Sequence, residues 1–250
     1  MNEQIKEFAS FLFDQFRTPP STPYTWPFNI RFSPGALTWL PDTWRQGTTF
    51  GESSRVLDAA GDAFQQALEA ENDNGLRDAI AVIMDWGGVW NAGPRRNQPR
   101  VEQALREGTL RTDFLADRNA MEAGQFGNIR KMNAGWSKIH AVTAPVDTYV
   151  MYDSRVACAL GNLVLAWASE DAARGVLKRV LRQTMRRRDP PVHRFIPEYP
   201  SINYRPARWA ESMAAASMVI RMVREIADEG TSSGATWLTG RSAREIEGSL

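Results

Sequence analysis

The chain has 250 residues, 43% of them hydrophobic and 24% charged, enough to bury a core in one large domain or two closely packed ones. A single cysteine, Cys158, excludes an internal disulfide. Two histidines, His140 and His193, leave too few ligands for a zinc constellation and argue against Cys-His or Ser-His-Asp hydrolases.

The net charge of +1 is unevenly spread: residues 174–194 hold eight basic side chains against one acid, Asp189, so the remainder is net −6. A basic stretch on a near-neutral chain points to a polyanionic partner met on one face, with a solvated helix face as the plainer reading.

Residues 2–17 place Ile5, Phe8, Leu12 and Phe16 at helical spacing and stop before Thr18-Pro19-Pro20, which predicts an amphipathic helix. From Pro19 to Phe50, prolines alternate with Tyr24, Trp26, Phe28, Phe32, Trp39 and Trp44, an irregular segment suited to wrapping a domain or lining a pocket. Helical periodicity resumes over 53–72 and 75–90, the second run stopping at Gly87-Gly88 within MDWGGVWN. A basic loop, NAGPRRNQPR, then carries Arg95, Arg96 and Arg100. A helix over 101–108 and a short one capped by Thr112 come next.

Beyond residue 153, two long helical runs (154–169 and 170–188) and a last strong helix from Pro206 to Gly230 complete the pattern. Residues 231–250 read as a polar tail with one short helix. The fold class is all-α: a single compact domain over 1–230 of roughly eight to ten helices, or two closely packed helical lobes with a cleft between them. No apolar run reaches the roughly 18 residues of a membrane span, and the polar start MNEQIKEFAS is unlike a secretory signal. A cytoplasmic protein is the resulting expectation. No GxGxxG and no GxxxxGKS or GxxxxGKT is present, which argues against nucleotide-phosphate chemistry.

The densest chemistry lies in NIRKMNAGWSKIHAVTAPVDTYVMYDSRVACAL, residues 128–160. Here 128–132 close a helix, Asn133-Ala134-Gly135 turn, and Ser137 caps a second helix from Lys138. Exposed backbone amides of this hairpin, around Gly135 and Ser137, suit a phosphate. Pro145 breaks the second helix, and Asp153, fifteen positions after Lys138, caps the next one. His140 and Cys158 read as packing residues.

In order and residue type this segment resembles helix-hairpin-helix DNA glycosylases. Their bifunctional members carry a Gly-containing hairpin, a lysine at the start of its second helix and, after an apolar segment, an aspartate at a helix amino terminus. SKIH, Pro145 and YDSRV, with Trp86-Gly87-Gly88-Val89 upstream and YRPARWAESM downstream, are similar to a group of bacterial proteins with an 8-oxoguanine-DNA-glycosylase-like fold. The likeness covers about residues 80–225. The hairpin departs from the family's GxGxK, since Gly135 stands three positions before Lys138, and the lysine-to-aspartate spacing is shorter.

The resemblance implies a base-excising enzyme that acts on double-stranded DNA as a monomer, with no cofactor and no metal. Base release passes through a sugar with oxocarbenium character, so a carboxylate beside C1′ stabilises it; Asp153 takes that role. Lys138 is the candidate amine for attack on C1′ and lyase chemistry. A flipped base needs a pocket, for which Trp86, Trp90, Asn91 and Asp85 are the candidates. Arg155 and the run Arg186, Arg187, Arg188 are natural phosphate contacts, with Gly135 and Ser137 of the hairpin.

Members of that bacterial group point to hypermodified, glucosylated hydroxymethyl cytosine of phage DNA as the substrate and to anti-phage defence. Repair of 8-oxoguanine is the alternative. A catalytically silent helical DNA-binding module belongs to a second class and a helical protein-interaction scaffold to a third; salt-sensitive DNA binding separates the scaffold from the others.

Overall fold

The computed structural model describes residues 1–17, 24–25, 31–32, 50–91, 97–168, 174–187, 198–200, 205–229, 240 and 242–248. Among them are ten α-helices and two short antiparallel strand pairs, so the chain is predominantly helical. Helix α1 (Asn2–Arg17) follows its apolar spacing and buries Ile5, Phe8 and Leu12. Strands β1 (Tyr24–Thr25) and β2 (Arg31–Phe32) pair within the proline-rich segment, the rest of which, with its tryptophans, lies outside the described residues.

Helices α2 (Phe50–Glu69) and α3 (Asp73–Trp86) pack along each other across the short connection 70–72, where Asn72 caps α3 through the Gly75 amide. Helices α4 (Asn97–Arg106), α5 (Leu110–Glu122) and α6 (Ala134–Thr143) close a first set around them. Its core stacks Phe64 edge-on against Phe114 at 4.7 Å, with His140 parallel to Phe114 at 5.1 Å. The buried Arg118 of α5 ties off the end of α6, donating to His140 Nδ1, His140 O and the Thr143 hydroxyl.

The second set contains α7 (Ser154–Trp167), α8 (Gly175–Arg182), α9 (Pro206–Glu229) and α10 (Ala243–Gly248), and α1 joins it from the other end of the chain. Phe8 of α1 lies 5.3 Å from Trp167, and Tyr152 meets Trp209 edge-on at 5.3 Å. Gln4 of α1 even accepts the Leu177 amide at the start of α8, at 2.8 Å. Strands β3 (Met185–Arg187) and β4 (Glu198–Pro200) pair beside α7. The two sets meet where a 3-10 turn (Phe126–Asn128) rests on α9, where Arg244 pairs with Asp58, and along the linking chain 144–153.

Several expected boundaries are corrected, each by a competing interaction. Residues 128–132 form no α-helix, because the Asp117 carboxylate takes the amides of Arg130 and Lys131 at 2.8 and 2.9 Å. Thr112 does not cap α5: the helix starts at Leu110, and the Thr112 hydroxyl donates back to Thr109 O. Of the expected run 170–188, the described part is a helix that ends at Arg182 and a strand, β3, that pairs with β4 in place of a continued helix. Part of the polar tail is docked: α10 buries Ala243 and Ile246, while 231–239, 241 and 249–250 lie outside the described residues. No helix among the described residues is long and apolar enough to cross a membrane.

Phe64 is fully buried at the contact between α2 and α5. Phe64→Ala should lower the free energy of unfolding by about 3–5 kcal/mol, read as an earlier urea midpoint with an unchanged slope.

Candidate active site

The site begins with the turn into α6. Asn133 sits in extended backbone and its Oδ1 accepts the amides of Gly135 and Trp136 at 2.7 and 3.1 Å. Its Nδ2 donates to Asn97 Oδ1 at 2.9 Å, and Asn97 Nδ2 in turn donates to Val89 O at 3.0 Å. A Cβ on Gly135 would stand 2.5 Å from Asn97 Nδ2, so only glycine admits this side chain against the helix start. The cap is therefore Asn133 and not Ser137, and the helix opens at Ala134 and not at Lys138.

This arrangement corrects the expected phosphate site at the hairpin. Gly135 and Ser137 are buried, the Gly135 amide is spent on Asn133, and the Ser137 amide donates to Asn133 O at 2.8 Å. The Ser137 hydroxyl lies within hydrogen-bonding reach of Tyr152 O at 3.0 Å, tying α6 to the chain that leads into α7. Neither residue offers a donor to solvent.

One turn into α6, Lys138 points inward; it is the one buried lysine among the described residues, 3% exposed. Its Nζ lies 3.2 Å from Asp153 Oδ2 and 3.4 Å from Ala134 O. Asp153 stands at the amino end of α7, where its Oδ1 accepts the amides of Arg155 and Val156 at 2.8 and 3.3 Å. Arg155 closes the group from outside: Nη2 lies 3.1 Å from Asp153 Oδ2, while its side chain is 60% exposed. Burial opposes ionisation of Asp153, but Lys138, then Arg155, then the two amides outweigh it and hold the carboxyl at about 2.

The WGGV turn supplies the space. Gly88 has φ +66, and the amides of Gly88 and Val89 return to Asp85 O and Met84 O, a double closure that ends α3 sharply. Gly87 then faces Lys138: a Cβ there would lie 2.6 Å from Lys138 Cδ. Two motifs far apart in sequence thus share one contact.

Sequence reasoning missed Glu247. This α10 residue is buried at 8% exposure, and its Oε2 accepts the Met151 amide at 2.7 Å, two residues before Asp153. Burial pushes its carboxyl up to about 7; the Met151 amide lowers it, Asp153 raises it again, and Lys138 and Arg244 act downward. No spacing cue marked it, since its partner is a backbone amide 96 positions away.

The proposed pocket residues part company. Trp90 is buried in the core at 8% exposure, Trp86 is half-buried, and Asp85 and Asn91 are exposed. Arg100 is exposed. Arg186 and Arg187 lie in β3 with only their backbones described, and Arg188, Arg95 and Arg96 lie outside the described residues. No three of His, Cys, Asp and Glu converge as a metal group among the described residues. No family model, no curated protein and no solved structure matches the chain.

Two opposite pH dependences follow. Raising the Glu247 carboxyl from 4.5 to about 7 favours its neutral form in the folded state. Its contribution, on the order of 3 kcal/mol, is complete below the ordinary value and lost as pH rises through 7. Asp153 acts in reverse: its contribution is present above 3.8 and lost as pH falls towards about 2. Urea unfolding should show stability declining between pH 5 and pH 8, and Glu247→Gln should flatten that decline.

Proposed function

We propose that this chain is a DNA glycosylase of the helix-hairpin-helix kind, which flips a modified base out of double-stranded DNA and excises it. The observation that carries the reading is the Asp153–Lys138 pair, buried at the amino end of α7 with Arg155 reaching from it to solvent. A buried ion pair is weak evidence for stability, because well-packed apolar residues often do as well. A carboxylate kept ionised by design, beside an exposed cation, is instead what stabilising a positive transition state requires.

In this reading Arg155 meets the phosphate beside the flipped nucleotide and brings C1′ towards Asp153. As the C1′–N bond lengthens, its electrons leave with the base, which gains a proton from solvent. Asp153 stabilises the positive sugar, and water adds at C1′ with loss of its proton, leaving an abasic site. Lys138 Nζ is engaged by Asp153 Oδ2 and Ala134 O, an arrangement that supports base release by water with the lysine as counter-ion. Lyase chemistry requires that amine to leave Asp153.

Hypermodified, glucosylated hydroxymethyl cytosine of phage DNA is the substrate class we favour, as an anti-phage activity. It rests on the likeness of the WGGV, SKIH and YDSRV elements, and 8-oxoguanine is its competitor. The protein acts as a monomer in this reading.

Purified protein incubated with duplexes containing glucosylated hydroxymethylcytosine, 8-oxoguanine or no modification should release base from the first alone, scored by mass spectrometry. Asp153→Asn should slow release at least about 100-fold while retaining DNA binding. Borohydride should trap no covalent adduct; an adduct lost in Lys138→Gln would assign the lysine to C1′ attack. Salt-sensitive binding without release from any duplex would leave a DNA-binding module and end the catalytic reading.

A further inference from the structure

We infer that the C-terminal helix α10 is a working part of the site and that Glu247 is the positioning residue that sets Asp153 in place. This deepens the glycosylase reading and rests on it. The chain from Val150 to Asp153 belongs to no strand or helix; the Tyr152 and Asp153 amides fold back on Val150 O and Met151 O at 2.9 and 2.7 Å, while those of Val150 and Met151 depend on side chains brought from elsewhere. Ser217 of α9 accepts the Val150 amide at 3.0 Å, and Glu247 accepts the Met151 amide at 2.7 Å. Beyond Asp153 the chain is already fixed by the start of α7. On the side before Asp153, Glu247 holds Met151, whose carbonyl in turn accepts the Asp153 amide, and the Ser137 hydroxyl lies against Tyr152 O.

Helix α10 is itself clamped through its first two residues. The Ala243 amide donates to Asp147 Oδ1 at 2.9 Å, Asp147 also pairs with Arg224, and Arg244 reaches Asp58 of the first set at 3.0 Å. Asp147 holds φ +64, a conformation costly for a residue with a side chain, at the point where the linking chain bends towards α10. Ile246 is fully buried. This much anchoring delivers one carboxylate to one amide beside the acid.

The groups facing Glu247 are the Met151 amide, Asp153, Lys138 and Arg244. While Glu247 is neutral, Asp153 alone claims Lys138. Once it ionises, a second anion stands beside Asp153 and competes for the same cation. Excision then slows on the alkaline side, through a group that does not touch DNA.

Single-turnover excision on the modified-cytosine duplex, from pH 5.5 to 8.5, should be compared for wild type, Glu247→Gln and Glu247→Ala. The Met151 amide is followed in each by 1H–15N NMR. Glu247→Ala should cut the rate on the order of 10–100-fold with DNA affinity unchanged and should move the Met151 resonance. Glu247→Gln, which keeps the acceptor oxygen, should restore most of the rate and lose the alkaline limb that wild type shows near pH 7. If the alanine variant fails to fold, the glutamine variant's pH profile decides: an alkaline limb equal to wild type overturns the inference. Equal rates in wild type and a folded Glu247→Ala overturn it while leaving the glycosylase reading intact. Absence of base release by wild type on every duplex overturns the reading, and the inference falls with it.

Discussion

A single carboxylate taken out of water organises this molecule's centre. Asp153 is 9% exposed, and an anion so placed is tolerable only if nearly every lone pair is matched. The matching comes from four directions: a lysine on α6, an arginine on α7, and two backbone amides of α7's first turn. Each fixes something beyond itself. Lysine in that place packs against Gly87, which adjoins the tight double closure that ends α3. The two helical sets are thus held in register by electrostatics at their seam as well as by apolar burial on either side.

A second, neutral network stands beside the charged one. Asn97, Asn133 and the Val89 carbonyl form a chain of hydrogen bonds from the WGGV turn through the start of α4 to the start of α6. Fully satisfied polar networks of this kind specify one arrangement of their elements, since any slip leaves buried groups unmatched. Lys138 and Gly87 are adjacent because this network sets the distance between their helices.

What could be read from the sequence follows from where each interaction is encoded. Helices α1, α2, α3 and α9 were legible because their apolar faces repeat at 3.6-residue spacing within one segment. Asp153 as a helix cap was legible too, because capping is a local act between a residue and the amides two or three positions on. The meeting of Lys138 with Asp153 was accessible through likeness alone. Asn133 was passed over for Ser137, since the choice is made by Asn97, 36 positions earlier. Glu247 was invisible for the same reason at greater range, and in a polar tail an acidic residue carries no sign of burial. Local chemistry was readable; chemistry completed by a distant backbone was not.

The first and last helices, α1 and α10, lie in the same helical set, α1 against α7, α8 and α9, while residues 50–143 pack mainly among themselves. Contacts within the middle set span at most the stretch from residue 50 to 143, as where Gln65 reaches Thr143 O, and carry less loop-closure entropy than those of the outer set. Those of the outer set join residue 4 to residue 177 and cannot form until most of the chain exists. Lys138 comes from the middle set and Asp153 from the chain that enters the outer one, so their ion pair is a contact that neither set can make alone.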